Sequence, residues 1–261
     1  MTDKILVEQS EAIATVTFNN PERRNAVSLD MWEAFDAALG KLQDDEAVRV
    51  IIITGAGDKA FVSGADISKF ESERAQAEAV ANYNAATKRA YDRLDNFPKP
   101  VIAKIKGVCV GGGLNLAVGC DLRLCNASAR FAMPAAKLGL GYGYGSLRRL
   151  AHVVGLPNAL ELAYTAKLFP AEDAFHMGAV NRVIADDELD DFVNDYASRI
   201  AGNAPLTIRT FKAGAIELRK HEHERDKARV DAMVEQCFAS EDYVEGRRAF
   251  MEKRKAEFKG R

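Results

Sequence analysis

Three consecutive glycines, Gly111-Gly112-Gly113, end an apolar, strand-like run and lead directly into the short apolar helical segment 114–117. Ordering a glycine costs roughly 0.5–1 kcal/mol more than ordering an alanine, so the chain gains something here that a side chain would block. One reading is a tight turn that lets strand and helix pack closely. In the other reading, amides at the helix start point unpaired N–H groups at an oxygen that carries or develops negative charge.

A second stretch, upstream, has the same form. The apolar run 50–54 predicts a buried strand, and it leads through two glycines to the small-residue segment Ser63-Gly64-Ala65-Asp66, ahead of a helical pattern. Two such turns at the ends of parallel strands can each supply one backbone donor. Together they have the form of an oxyanion hole.

Seven short motifs lie along nearly the whole chain. In order they are Asn20-Pro21-Glu22-Arg23-Arg24-Asn25-Ala26, Ser63-Gly64-Ala65-Asp66-Ile67, Pro98-Lys99-Pro100-Val101-Ile102-Ala103, Gly111-Gly112-Gly113, Cys120-Asp121-Leu122-Arg123, Lys137-Leu138-Gly139-Leu140 and Ala249-Phe250-Met251-Glu252-Lys253-Arg254. With these motifs in this order, the sequence resembles the crotonase superfamily, also called the enoyl-CoA hydratase/isomerase superfamily. The segment 240–246 also resembles methylmalonyl-CoA decarboxylase-like members. The resemblance implies an enzyme that acts on an acyl-CoA thioester.

The alternation of strand and helix patterns predicts an α/β fold built of stacked ββα units. The resemblance implies that these units form a right-handed crotonase-type spiral, over residues 1–198, which holds the acyl-CoA site. From about Asp186 onward the pattern is helical only. By resemblance, residues 199–261 form a C-terminal all-helical trimerisation region, in a homotrimer or a dimer of trimers.

Periodicity predicts the individual elements. A hairpin covers residues 5–18, with Ala12, Ala14, Val16 and Phe18 on one face of its second strand. Ser28 is expected to cap a helix, and the apolar run 101–110 is expected to be one strand. Further helices are predicted at 72–95, 189–201, 205–220, 223–238 and 241–258.

By motif match, the resemblance assigns two oxyanion donors, the backbone amides of Ala65 and Gly112. Two preorganised N–H donors stabilise a thioester enolate by about 3 kcal/mol each. The residues assigned to the coenzyme A part of the substrate are Arg23 or Arg24 at its phosphates, Ser63, Asp66 and Ile67 along the adenine and pantetheine path, Ala26 and Gly111 in the same binding set, and Phe250 and Lys253 reaching the coenzyme A of a neighbouring subunit. No other cofactor is expected.

Two positions depart from the hydratase pattern. Hydratases of this superfamily carry one glutamate two residues after the second oxyanion glycine pair, which is Asn115 here. They carry another directly after the proline of the following turn, which is Ala135 here. An amide and a methyl group cannot exchange a proton near neutral pH, so the two-glutamate activation of water is not available.

Tyr142 lies where decarboxylase-like members carry a tyrosine and where hydratases usually carry proline. Decarboxylation needs no base, since loss of CO₂ itself creates the enolate, and an oxyanion hole in an apolar pocket suffices. Against this reading, those decarboxylases keep a glutamate where this chain has Asn115. A hydrogen-bonded tyrosine that packs the loop is the structural alternative. An atypical hydratase or isomerase that uses Tyr142, Tyr144 or His152 also stays open.

Bulk properties exclude several classes of function. A formal net charge of −2 and a pI near 6.2 give no electrostatic case for nucleic acid or for an anionic membrane surface. No run approaches the roughly 18 apolar residues of a transmembrane helix, so we expect a cytoplasmic protein. His221 and His223 lack a third ligand, so no metal site is expected.

The sequence thus predicts an enzyme, a lyase of the crotonase superfamily, in which decarboxylation of a 2-carboxyacyl-CoA is the first candidate reaction. The second candidate is the atypical hydratase or isomerase. A non-catalytic acyl-CoA binding protein is the alternative from a different class.

Overall fold

The computed structural model describes residues 3–66 and 77–261. The strands are β1 (Ile5–Ser10), β2 (Ile13–Phe18), β3 (Val50–Gly55), β4 (Ala60–Val62), β5 (Val101–Ile105), β6 (Val108–Val110), β7 (Leu122–Asn126), β8 (Arg130–Ala132), β9 (Phe169–Pro170) and β10 (Arg182–Ile184). The α-helices are α1 (Leu29–Asp44), α2 (Ala77–Asp95), α3 (Gly112–Gly119), α4 (Tyr144–Thr165), α5 (Ala171–His176), α6 (Leu189–Ala201), α7 (Pro205–Leu218), α8 (Lys227–Ala239) and α9 (Glu241–Glu252).

Within the described ranges the strands form two sheets, ordered β1-β2-β3-β5-β7-β10 and β4-β6-β8-β9. All pairings are parallel except β1 with β2 and β8 with β9. Each successive strand pair, β3 and β4, β5 and β6, β7 and β8, places one strand in each sheet. This repeat, followed by C-terminal helices, confirms the predicted α/β class.

Strand β3 is buried on both faces, as its unbroken apolar run predicts. Ile51 and Ile53 point into the larger core, which also contains residues of α1, α2 and α3. Val50 and Ile52 point to the other side and pack in a second core with Val193 of α6. Of the predicted inward face of β2, Ala14, Val16 and Phe18 are fully buried, whereas Ala12 lies half-buried in the turn before the strand.

The prediction of one strand over residues 101–110 is wrong, since Gly107 divides it into β5 and β6. Gly107 has a φ of +62°, and a Cβ atom there would lie 2.2 Å from the carbonyl oxygen of Lys59. Only glycine allows this left-handed turn and this close approach. The turn moves the chain from the larger sheet to the smaller one, so that β6 ends beside β4.

Two helix starts differ from expectation. The Ser28 hydroxyl donates to the carboxylate of Asp30 and makes no cap hydrogen bond, although α1 begins directly after it. Helix α8 begins later than predicted, at Lys227, because the Asp226 carboxylate accepts the N–H of Arg229 as an N-cap.

The last helix is shorter than predicted, since α9 ends at Glu252 rather than near residue 258. Lys253 takes a left-handed conformation with a φ of +55°, which ends the helix. The chain then folds back, and the buried carboxylate of Asp242 accepts the N–H groups of Lys259 and Gly260 at 2.6 and 2.8 Å.

Two contacts tie the C-terminal region to the sheet. The ammonium of Lys212, buried in α7, donates to both carboxylate oxygens of Asp121 at 2.6 Å. Arg49, just before β3, donates to the carbonyl oxygens of Ala201 at 3.0 Å and Phe258 at 2.8 Å. These contacts hold the helices that follow β10 against the larger sheet, at the starts of β3 and β7.

Candidate active site

The turn after β4 leaves one backbone amide pointing outward. The N–H of Val27 donates to the carbonyl oxygen of Gly64 at 2.8 Å, and the N–H of Asp66 donates to that of Val27 at 3.0 Å. This pattern is a parallel bridge in which Ala65 opposes Val27. The N–H of Ala65 consequently points away from Val27 and makes no hydrogen bond within this bridge.

The turn after β6 brings a second amide to the same place. Gly111 has φ +57° and ψ −114°, a conformation that needs glycine, and α3 begins at Gly112. The first N–H groups of a helix have no partner within it. A Cβ atom built on Gly64 would lie 3.7 Å from the nitrogen of Gly112. The two turns are therefore in contact, and the amides predicted as donors lie at one edge of the smaller sheet.

The third glycine of the run has a packing role. A Cβ atom on Gly113 would lie 2.0 Å from the carbonyl oxygen of Val62, so α3 and β4 can approach this closely only through bare backbone. The close-packing reading of the glycine run therefore applies to Gly113. Gly112 has room for a Cβ atom, with Gly64 Cα as its nearest neighbour at 3.7 Å.

Asn115, where hydratases carry a glutamate, is buried on α3 in a polar network. Its Oδ1 accepts a 3.1 Å hydrogen bond from Arg149, its Nδ2 donates to the Ser146 hydroxyl at 3.2 Å, and its amide also lies beside the Tyr91 hydroxyl. Asp95 accepts two hydrogen bonds from the same guanidinium. No carboxylate faces the glycines from position 115.

Tyr91 connects this network to Gly112, the first residue of α3. Its hydroxyl donates to the carbonyl oxygen of Gly112 at 3.0 Å, and its ring packs 5.2 Å from that of Trp32. The Arg149 guanidinium lies 4.7 Å from the ring centroid. Burial raises the pKa of the Tyr91 hydroxyl above its ordinary value of 10, so the group keeps its proton.

Ala135 lies in the 3-10 helix Pro134–Leu138, half-buried. A Cβ atom on Gly111 would lie 3.9 Å from Cδ of Pro134, so this turn borders the glycine run. The two positions that lack glutamate, Asn115 and Ala135, thus flank the same backbone amides. That these two positions correspond to the glutamates of hydratases stays a prediction.

Tyr142 packs against the larger core, while Tyr144 and His152 are exposed. The Tyr142 hydroxyl is buried and has no hydrogen-bond partner among residues 3–66 and 77–261. Burial raises its pKa above the ordinary value of 10, although the charge of Arg149 opposes the shift. A buried hydroxyl without a partner costs free energy, which argues against the satisfied packing tyrosine considered from the sequence.

Arg23, Ser63 and Asp66, three of the residues assigned to coenzyme A, lie close together beside the turn after β4. Arg23 lies 3.5 Å from the buried carboxylate of Asp66, and the Ser63 hydroxyl donates to the Arg23 carbonyl oxygen at 3.3 Å. Arg24 lines a neighbouring cavity of about 320 Å³. Ala26 is buried, and Ile67 lies outside the described residues.

Phe250 and Lys253 lie at the end of α9. Phe250 is 82% exposed and lines an apolar cavity of about 950 Å³ between α7, α8 and α9. Their assignment to the coenzyme A of a neighbouring subunit stays a prediction.

The sequence interpretation missed Tyr91 as part of the site. It lies next to Ala90 in an alanine-rich helix, and no motif marks it. The sequence pattern gives no role to Arg149 either. Only the packing of helices brings Tyr91 and Arg149 to the site, because α2 and α4 both pack against α3.

Other kinds of site were also considered. In residues 3–66 and 77–261, no group of three His, Cys, Asp or Glu side chains is placed to hold a metal ion. The helices of these same ranges include none with the length and apolar character needed to cross a membrane.

Comparisons with known proteins agree with this geometry. The enoyl-CoA hydratase/isomerase family model matches residues 8–261. The chain is 36% identical over 256 residues to a crotonyl-CoA hydratase from Syntrophomonas wolfei, with 98% of both chains covered. It is 34% identical over 260 residues to a short-chain-enoyl-CoA hydratase from Clostridium acetobutylicum, with 99% of both covered.

A solved structure of an enoyl-CoA hydratase/carnithine racemase from Magnetospirillum magneticum superposes with a TM-score of 0.93. The two sequences are 38% identical, and the match covers 100% of this chain and 97% of the chain in the solved structure. Because the match covers the whole chain, the two proteins share one fold, including both sheets and the turns after β4 and β6. The chain belongs to the enoyl-CoA hydratase/isomerase family of enzymes, the crotonase superfamily.

Proposed function

We propose that this enzyme acts on an acyl-CoA thioester through an enolate whose oxygen accepts hydrogen bonds from the N–H groups of Ala65 and Gly112. The observation that carries the proposal is the close approach of the two turns, since a Cβ atom built on Gly112 would lie 3.7 Å from Cα of Gly64. Donors fixed before the reaction need no reorganisation as charge develops. Each is expected to contribute about 3 kcal/mol to transition-state stabilisation.

Decarboxylation of a 2-carboxyacyl-CoA is the reaction that these residues favour. The bond between the α-carbon and the carboxylate breaks, and its electron pair passes into the thioester enolate as CO₂ leaves. No base is needed, which suits a site with an amide at Asn115 and a methyl group at Ala135. A proton must then reach the α-carbon.

Tyr142 is the proposed source of that proton, or the group that orients the departing carboxylate. Its hydroxyl is buried and protonated, and it has no partner among the described residues. After the transfer, a proton from solvent restores the phenol. Tyr144 and His152 are exposed, so they fit this role less well.

Atypical hydration or isomerisation is the second candidate. The 36% identity to a protein named crotonyl-CoA hydratase favours it. In such a reaction a group other than paired glutamates would have to activate water or move the proton. A protein that binds thioesters and turns none over would instead be an acyl-CoA binder.

In the proposed site, coenzyme A contacts Arg23, Arg24, Ser63 and Asp66. The exposed apolar surface around Phe250 supports the proposed homotrimer or dimer of trimers, because a surface of this kind is typical of protein interfaces.

The test is turnover of a thioester panel that contains 2-carboxyacyl, enoyl and saturated members, followed by mass spectrometry and direct CO₂ measurement. Gly112→Pro deletes the donor N–H and should abolish turnover, whereas Ala65→Gly keeps its N–H and should retain much of it. A folded Gly112→Pro protein with normal turnover would contradict the oxyanion assignment. Calorimetric binding of coenzyme A esters without any turnover would favour the binder.

A further inference from the structure

The hydrogen bonds beside α3 run in one direction, from an ion pair to the first residue of the helix. We propose that Tyr91, oriented by Asn115 and Arg149, is a positioning residue that fixes Gly112 for its role as oxyanion donor. The proposal rests on the proposed function, because it assigns a task to residues around the same donor. It concerns three side chains that do not touch the reacting atoms.

The first step is the orientation of the Asn115 amide. Arginine has only donors, so the atom of Asn115 that lies 3.1 Å from Arg149 must be the oxygen. Both amide protons then point the other way, one to Ser146 and one to Tyr91. Asp95 holds the guanidinium through two of its nitrogens, which fixes the plane of the fork.

The second step is the orientation of the Tyr91 hydroxyl. Its single proton points at the carbonyl oxygen of Gly112, 3.0 Å away, and the Asn115 amide lies beside the hydroxyl oxygen on its other side. The ring itself is held between Trp32 and the Arg149 guanidinium. Asn115 thus determines the direction of the hydrogen bond that reaches Gly112.

The third step is the effect on the donor. Gly111 and Gly112 have no side chains, so the turn has few restraints of its own, and the φ and ψ of Gly111 fall where other residues are strained. A hydrogen bond to the Gly112 carbonyl fixes the next peptide plane and, with it, the first turn of α3. The Gly112 N–H is then held in one direction before substrate binds.

Helix α2 makes a related contact with the other turn. The Tyr83 hydroxyl lies 3.4 Å from the carbonyl oxygen of Val27, the residue that bridges Ala65. It also accepts the indole N–H of Trp32 at 3.0 Å. One helix therefore reaches the backbone next to both proposed donors, which is what a shared positioning element requires.

The experiment uses cinnamoyl-CoA, whose absorption band moves to longer wavelength when its carbonyl is polarised, and the panel thioester with the highest turnover. Tyr91→Phe should lose most of the red shift of the bound probe and lower kcat about tenfold, less than the 10²–10³ expected for losing a donor outright. KM should stay within about twofold, because only transition-state stabilisation is weakened. Tyr196→Phe on α6, in the second core, is the control and should change neither.

Arg149→Met leaves the Tyr91 hydroxyl in place and tests the same link if Tyr91→Phe does not fold. It should reduce the red shift and kcat. Arg149→Lys should restore little of either, because an ammonium cannot replace the planar guanidinium that donates to Asp95 and Asn115 together. An unchanged red shift and kcat in folded Tyr91→Phe or Arg149→Met would overturn the positioning role alone. Wild-type protein that binds cinnamoyl-CoA without a red shift would overturn the oxyanion hole as well.

Discussion

The guanidinium of Arg149 donates a hydrogen bond of 3.1 Å to Oδ1 of Asn115. Any carboxylate placed at position 115 would therefore lie beside a fixed cation. An opposite charge at this distance lowers the pKa of a carboxyl group and makes it a weaker base. The glutamate that hydratases use at this position would have to work against that pairing.

Because neither Asn115 nor Ala135 can exchange a proton, crotonyl-CoA hydration should be at least ~10²-fold slower than in a hydratase with both glutamates, since general acid–base catalysis typically contributes ~10²–10⁴. Asn115→Glu with Ala135→Glu should raise the rate more than either change alone, because the two groups act as a pair. Initial rates of crotonyl-CoA hydration measure this. Wild-type kcat equal to that of a two-glutamate hydratase would show that another group activates water.

Tyr142→Phe should separate chemistry from packing. The lost hydroxyl has no partner among the described residues, so the melting temperature should stay the same or rise. If the hydroxyl takes part in decarboxylation, kcat for CO₂ release from a methylmalonyl-type thioester should fall while KM changes little. Tyr144→Phe, an exposed tyrosine two residues away, is the matched control. Unchanged CO₂ release in Tyr142→Phe would remove this residue from the mechanism.

Gly113→Ala and Gly112→Ala should differ sharply in stability. The first puts a Cβ atom 2.0 Å from a backbone oxygen of β4, and such overpacking should cost about 3 kcal/mol or more. The second finds ordinary contacts, so the free energy of unfolding should change by less than about 1 kcal/mol. Urea unfolding of both variants is the measurement. Equal stability would mean that α3 does not need bare backbone against Val62.

Glu217 should contribute a pH-dependent part of the stability. Hydrogen bonds from Lys220, the Asp226 N–H and Arg229 lower its pKa from 4.5 to about 2. A carboxyl group whose pKa falls on folding stabilises fully above its unfolded value and loses this contribution as pH falls through the folded one. The stability difference between wild type and Glu217→Gln should therefore be largest above pH 5 and shrink between about pH 4.5 and 2. Urea midpoints across this range measure it, with exposed Glu235→Gln as control; a constant difference would contradict the pairing.

Phe250→Glu should dissociate the assembly. Phe250 and Met251 are among the most exposed apolar side chains described, and a charge there would be buried without a partner in any interface they form. Light scattering should give a trimer or hexamer mass for wild type and a smaller mass for the variant. Lys255→Glu, in the exposed tail, should leave the mass unchanged. A monomeric wild type would refute the trimer.

The sequence alone predicted the layers and the two glycine turns, because these depend on local rules. Buried strands read as apolar runs, and turns that need bare backbone read as glycines. The break at Gly107 escaped because Ile105 and Val108 continue the strand pattern on both sides of Lys106-Gly107, and only the approach of Lys59 explains it. The role of Tyr91 escaped because its partners, Asn115 and Gly112, come from a different helix.

Arg49 joins parts of the chain that are far apart in sequence, since its two carbonyl partners lie 152 and 209 residues away. Contacts of such separation form late in folding, after local structure exists to receive them. We therefore expect amides of β3 to gain protection in pulsed hydrogen exchange before those of residues 255–261. In this order of events, residues 255–261 pack onto a core that has already folded.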